Sequence, residues 1–392
     1  MSDRGRLRLV IGVSAAFILL AAGGWLLFGT NKPAQQAVTS VQFAPTPPVE
    51  GQFARAEGLR EFRFPLDHGP HPDFQTEWWY YTGNLETVEG RRFGYELTFF
   101  RRALTPQPVS SDGSAWRANQ VYLAHFALSD IETQDFRYQE MLSRGAAGLA
   151  GAQGEPVFEV WLEDWTVRQI GTGRYALNAD AEGYGLELEL SDLKGPILQG
   201  DHGYSQKGPE TGNASYYISQ TRLESSGKLR IGEEIWDVNG LSWMDHEFSS
   251  SALSAGQVGW NWFAIQLGDG SELMLFTLQR EDGEMDPLNA GTIIEPDGTT
   301  RMLGSADFQV AVRGIWRSPH SGADYPAEWV ITIPDEGVVI NIKPLMPDQE
   351  LNTFFTYWEG AVEIQGEKDG VPVSGFGYVE LTGYAETMQG KF

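Results

Sequence analysis

From Phe62 onward the apolar residues come in short runs, broken by Gly, Asp, Asn and Pro. Runs of that length between turn-forming residues predict strands rather than helices. The clearest are Phe93 to Phe100, Val121 to Leu128, Tyr184 to Leu190, Trp260 to Leu267, Leu273 to Leu278 and Val338 to Ile342. In Tyr184-Gly-Leu186-Glu-Leu188-Glu-Leu190 the alternation is strict, giving one dry face and one wet face. No helical period of useful length occurs between residues 60 and 390. The pattern predicts an all-β protein.

An internal echo points to two related halves. Trp79-Tyr-Tyr-Thr-Gly-Asn-Leu85 is followed by an acidic turn and then by Phe93-Gly-Tyr-Glu-Leu-Thr-Phe-Phe-Arg101. Trp262-Phe-Ala-Ile-Gln-Leu267 is followed by Gly268-Asp269-Gly270 and then by Glu272-Leu-Met-Leu-Phe-Thr-Leu-Gln-Arg280. Each copy reads as an aromatic strand, a tight turn and an apolar strand ending in arginine. Two closed antiparallel β-barrels are the simplest architecture for this much strand sequence.

The densest aromatic run is Thr76-Glu77-Trp78-Trp79-Tyr80-Tyr81-Thr82-Gly83. On a strand Trp78 and Tyr80 face one way, while Glu77, Trp79 and Tyr81 face the other. Such a strand suits a position where one side packs in protein and the other lines an apolar chamber. Its buried O–H and N–H groups need an ordered polar network nearby.

The N-terminus carries a different signal. Arg4, Arg6 and Arg8 precede the uncharged run Leu9 to Phe28. At 1.5 Å per helical residue the run reaches roughly 30 Å, enough to cross a bilayer with the basic flank in the cytoplasm. Residues 1–30 are therefore expected to be a signal anchor or signal peptide, and 31–56 a Pro-rich linker. Residues 57–250 and 251–388 are expected to form an N-terminal and a C-terminal barrel domain. The folded part is expected to be extracytoplasmic (periplasmic), anchored to the inner membrane or secreted after cleavage.

Composition narrows the partners. The chain has 28 Lys+Arg against 53 Asp+Glu, a formal charge of −25, which repels nucleic acid and anionic lipid headgroups. It has no cysteine, so neither a disulfide scaffold nor a cysteine-linked lipid anchor is available. There is no glycine-rich phosphate loop and, in the part expected to be exported, no Gly-x-Ser-x-Gly elbow, so nucleotide-dependent and serine-hydrolase chemistry are unsupported.

The strongest candidate for chemistry is Trp243-Met-Asp245-His246-Glu247-Phe248-Ser-Ser250. On a strand Asp245 and Glu247 share a face with Trp243, and His246 takes the other. A carboxyl group in an aromatic setting is pushed towards its neutral form, which suits Asp245 or Glu247 to general-acid work. The same residues would equally serve as a polar network at a domain junction. His125 stands alone in an apolar strand, where a satisfied core histidine is the commoner role. His68 and His71 lie in a Gly-Pro loop with no cysteine nearby, so no metal or other cofactor is expected. The segment around His202 and Tyr204 returns to the aromatic Ser215-Tyr216-Tyr217, as a lid or as a plain connection.

These motifs resemble a known family. Glu77-Trp-Trp-Tyr-Tyr-Thr-Gly83, His125-Phe-Ala-Leu128, His202-Gly-Tyr-Ser205, Trp243-x-Asp-His-Glu-Phe-Ser-Ser250, Gly259-Trp-Asn-Trp-Phe263 and Gly377-Tyr-Val-Glu-Leu-Thr-Gly-Tyr384 are similar to the AttH and hydroxyneurosporene synthase (carotenoid 1,2-hydratase) superfamily. The resemblance spans residues 60 to 386. It implies two lipocalin-like β-barrels with an apolar chamber, and ABC-transporter components as possible partners. The hydratase branch implies an acid that protonates an isoprenoid double bond, aromatic faces that steady the cation, and water that captures it. That branch carries His-x-Trp and, one strand later, Tyr-x-Asp. This chain has His246-x-Phe248 and Leu273-Met-Leu275 in those places.

The expected function is binding of an apolar lipid or isoprenoid, with carotenoid hydratase-like chemistry as the alternative. The catalytic candidates are Asp245, His246, Glu247 and Glu77. The ligand-contacting candidates are Trp78, Trp79, Tyr80, Tyr81, His125, Tyr216, Tyr217, Trp243, Trp260 and Trp262.

Overall fold

A computed structural model describes residues 53–106, 114–251 and 253–391. The membrane segment expected at 1–30, and nearly all of the linker expected at 31–56, lie outside the described residues. Within them the regular structure is β, apart from two single 3-10 turns at Leu66–His68 and Pro334–Glu336. No helix among the described residues is long and apolar enough to cross a membrane.

The strands form two antiparallel sheets. The first has thirteen strands and includes Thr76–Glu86, which pairs with Arg92–Ala103 on one side and Glu234–Ser249 on the other. Ala214–Ile231 and then Tyr184–Asp192 extend it beyond Glu234–Ser249. This sheet curls into a near-barrel. Its path ends at Asp135–Arg144 and at Ala150–Gln153, which share no ladder, the latter offering only four residues of backbone.

The second sheet has ten strands and makes a half-barrel. Gln257–Leu267 lies in it between Glu272–Arg280 and Val371–Leu381. The two hairpins of the sequence echo, Thr76–Glu86 with Arg92–Ala103 and Gln257–Leu267 with Glu272–Arg280, share the same local pairing. Closure into full barrels is reached only in part.

Alternation along the strands produces three apolar layers. Trp79, Tyr81, Phe99, Phe126 and Trp165 fill the concave side of the first sheet. Phe263, Trp329, Ile340 and Trp358 fill that of the second. The third layer joins the sheets through Tyr80, Tyr217, Trp243, Trp262, Phe276 and Tyr378. Each large side chain so buried contributes about 2–3 kcal/mol of apolar transfer energy. The sheets approach so closely at Gly94 that a Cβ there would lie 2.7 Å from the Ala361 methyl group. Polar ties supplement the contact. Glu272 of the second sheet takes Lys194 Nζ at 2.6 Å and the Arg222 guanidinium, and Gln266 Nε2 donates to the Thr221 and Ser242 carbonyls at 2.8 and 2.9 Å.

Candidate functional site

A cavity of about 150 Å³ lies between the two sheets. Its walls follow from strand parity. Thr76–Glu86 turns Trp78 and Tyr80 into it, and Glu234–Ser249 turns Asp245 and Glu247. The second sheet contributes Trp260, Trp262, Phe276, Leu278 and Glu380. The chamber thus sits where two convex faces meet, and the concave sides carry the packed cores.

Asp245 is the most elaborately held group on the wall. Strand register places Tyr80 and Ser219 beside it. Trp243 Nε1 donates to Oδ1 at 2.7 Å and Ser219 Oγ to Oδ1 at 2.5 Å, while the Tyr217 hydroxyl donates to Oδ2 at 2.5 Å. These directions suit the ionised carboxylate. Trp262 Nε1 donates to the Tyr217 oxygen at 2.9 Å, and Gln199 Nε2 donates to Ser219 Oγ at 2.9 Å, so each hydroxyl proton points at the carboxylate. Oδ1 is saturated by two donors, and Oδ2 keeps one lone pair free for a proton. Burial pushes the Asp245 carboxyl up to about 7, with Glu247 adding to the rise and the three donors opposing it.

A second acid faces it from the other sheet. Glu380 accepts from Trp260 Nε1 at 2.7 Å, and burial pushes it up to about 7, helped by the charges of Glu247 and Asp245. Behind it stands Glu359, its register partner on the neighbouring strand, which accepts a hydrogen bond from the Tyr80 hydroxyl. Burial also pushes Glu359 well above the usual carboxylate range, and Glu96, which takes a bond from Thr98, up to about 8. Glu247 alone has a cationic neighbour in the cavity, Lys207 Nζ at 3.1 Å. That ammonium also lies over the Phe276 ring at 4.0 Å and the Tyr217 ring at 5.2 Å.

The opposite face of the same two strands holds a contrasting cluster. Glu77 is fully buried and pairs with Arg101 Nε at 2.8 Å, His246 Nε2 at 2.8 Å and His71 Nδ1 at 2.8 Å. Burial alone would raise its pKa, but Arg101 and the two imidazoles hold it well below the ordinary value. His71 bridges Glu77 and Asp67; burial opposes its charge, yet these two carboxylates keep its pKa raised. Burial lowers His246, and pushes the neighbouring His68 down to about 4. His71, Glu77 and His246 place three ligand atoms within 4.8 Å of one another. Arg101 on the second Glu77 oxygen and Asp67 on His71 already balance these charges, so the geometry is that of a buried ion-paired knot.

The sequence candidates therefore separate into distinct places. Asp245, Glu247, Trp78, Tyr80, Tyr217, Trp260 and Trp262 meet at the cavity. Trp243 supports Asp245 from within the joining layer. Glu77 and His246 belong to the ion-paired knot, while Trp79 and Tyr81 belong to the first core. Tyr216 packs with Phe74 and Phe248 on the far side, donating to the Gly58 carbonyl at 2.8 Å. His125 is one step removed: its ring bonds the Tyr357 hydroxyl at 2.7 Å and Glu140 at 2.9 Å, and Tyr357 lines the cavity. Glu380, Glu359, Glu96, Lys207 and Phe276 are additions made by the structure. A single charge inside Tyr378-Val-Glu380-Leu-Thr was the available signal for Glu380.

The AttH-like family model matches residues 55–384. The solved structure of an AttH protein from Nitrosomonas europaea is 34% identical, with a TM-score of 0.75, covering 85% of this chain and 99% of that one. Kievitone hydratase from Nectria haematococca is 14% identical with a TM-score of 0.63, covering 87% and 97%, a likeness of fold. No curated protein matches the sequence.

Proposed function

The chain belongs to the AttH-like family, and from that footing we propose that it binds a small, largely apolar lipid- or isoprenoid-like molecule, one end of which enters the cavity between its two sheets. The observation that carries this reading is an aromatic-walled cavity whose polar groups converge from both sheets, as small-molecule sites do. Its volume suits one aromatic ring or one prenyl unit, since an apolar cavity of about 150 Å³ holds benzene. The remainder of a longer ligand extends through the mouth. Taken with the basic flank and uncharged run Leu9 to Phe28, the reading is of a periplasmic binding protein at the inner membrane that passes its ligand to an ABC transporter. Native mass spectrometry and solvent extraction of the full-length protein from a lipid-rich host test the binding. A stoichiometric apolar passenger is expected, with loss of that passenger in Trp262→Ala. A protein that is empty and takes up no added prenyl alcohol would overturn the reading.

One feature favours a catalytic version, and the fold shared with kievitone hydratase agrees with it. A pocket that only holds hydrocarbon gains nothing from burying Asp245, whereas acid hydration needs a carboxyl that is protonated near neutral pH. Asp245 Oδ2 gives its proton to one alkene carbon, and the cation forms at the other, between aromatic faces. Water adds there and returns a proton to the carboxylate, so alkene and water become alcohol with the acid regenerated. Turnover of a prenyl alkene that disappears in Asp245→Asn is expected. Turnover retained in that variant would remove Asp245 from the chemistry.

A further inference from the structure

We propose that the end of the ligand held in this cavity carries a positive charge, an alkylammonium or similar small onium group, and that Lys207 is the resident cation it displaces. The inference rests on the reading that the cavity between the sheets is the ligand site. Among the described lining residues Lys207 is the only cation, and it faces three carboxyl groups, Asp245, Glu247 and Glu380. Only Glu247 is within ion-pair distance of it. Asp245 and Glu380 meet no cation; their partners are hydroxyl and indole donors. The wall around them carries the aromatic rings of Trp78, Tyr80, Tyr217, Trp260, Trp262 and Phe276, interleaved with hydroxyl and aliphatic side chains. Aromatic faces with carboxylates behind them are the arrangement that holds quaternary ammonium ions.

The Lys207 ammonium itself demonstrates the preference. It stands over Phe276 and Tyr217 and leans on Glu247, as a ligand ammonium would. Its backbone is fixed, with Lys207 N–H donating to the Asn213 carbonyl at 3.0 Å and its own carbonyl accepting from Gln257 at 3.0 Å. The flexible side chain is half-buried, so it can swing towards solvent without moving the loop. An anionic ligand has no place here. The molecule's formal charge of −25 draws cations towards the mouth.

The titratable groups facing the two acids are Glu247, Tyr217 and Tyr80 around Asp245, Glu359 and Glu96 behind Glu380, and Tyr357 and Lys207 on the remaining walls. A bound cation favours the ionised acids, so binding releases protons and the affinity rises with pH through the neutral range.

The test is calorimetric titration of the full-length protein with choline and with its neutral isostere, in which a quaternary carbon replaces the nitrogen. At about pH 8 choline is expected to bind at least roughly tenfold more tightly than the isostere, and its affinity is expected to fall by about pH 6, while that of the isostere does not. Lys207→Met keeps the apolar stem and removes the competing charge; choline is expected to tighten by a few-fold and the isostere to stay unchanged. Glu380→Gln is expected to weaken choline and flatten its pH dependence. Equal or tighter binding of the isostere at both pH values overturns the charge preference and leaves the cavity as the ligand site. Binding of neither compound at millimolar concentration also overturns the charge preference, and uptake of prenyl alcohol by the same protein then decides separately whether the cavity is the ligand site.

Discussion

Glu77 and Asp245 are buried carboxyl groups on paired strands, yet they face opposite sides of the sheet and live opposite lives. Glu77 is surrounded by Arg101, His71 and His246 and stays ionised far below the usual range. Asp245 is surrounded by two hydroxyls and an indole, and burial wins, lifting it to about 7. Both have their hydrogen bonds. The difference is whether a formal positive charge stands among the donors, because neutral donors offset only part of the desolvation of a carboxylate. One group is thereby spent on structure, and the other keeps a proton that can be moved.

The sharpest way to break this contrast is to remove the cation from the Glu77 side. Arg101→Met leaves Glu77 buried without its main partner, and unfolding by urea is expected to show a loss of about 3–5 kcal/mol. Next comes the pH dependence of stability, where the two acids have opposite signs. Glu77 has a depressed native pKa, so its contribution is complete above its ordinary value of 4.5 and is lost only as the pH falls through the native pKa. Asp245 has a native pKa of about 7 against an ordinary 3.8, so the native state holds the proton more tightly and stability declines as the pH rises between those values. Asp245→Asn removes that decline. Relative to wild type it is expected to gain roughly 2–4 kcal/mol between pH 4 and pH 8, read from urea midpoints at both ends.

Smaller effects sharpen the boundary. Trp79→Phe deletes the indole that donates to the His68 carbonyl at 2.9 Å and stacks on His246, and about 1–3 kcal/mol of stability should go with it in the same assay. Tyr80→Phe, on the cavity side, removes the donor to Glu359. Global stability should fall by about 1 kcal/mol, the low end for a buried acceptor that loses its donor, while the Glu359 carboxyl titrates higher still by NMR.

Much of this was legible in the chain. Parity alone divided Trp78 and Tyr80 from Trp79 and Tyr81, and Asp245 from His246, because a strand leaves no other choice. The six short apolar runs all fall within strands. What parity does not give is the partner across the gap. Glu380 and Phe276 reach Asp245 only because two sheets dock convex face to convex face, and nothing local in either segment encodes that docking. The same blindness hid the partner of Glu77: Arg101 sits 24 residues away and meets it through strand pairing. The near-barrel and half-barrel agree with the two barrels expected, while strand count alone does not say how far each sheet closes.

The docking of the sheets gives the cavity an unusual status. It belongs to neither sheet alone and depends on their docking, which Lys194, in the bend after Tyr184–Asp192, and Arg222 of the first sheet tie to Glu272 of the second, with Gly94 against Ala361. Occupancy and sheet–sheet association are therefore linked equilibria: a ligand present at a hundred times its dissociation constant adds about 2.7 kcal/mol to keeping the two halves together. Read the other way, anything that pries the halves apart, a protein partner gripping one sheet for example, empties the site without touching a single residue that lines it.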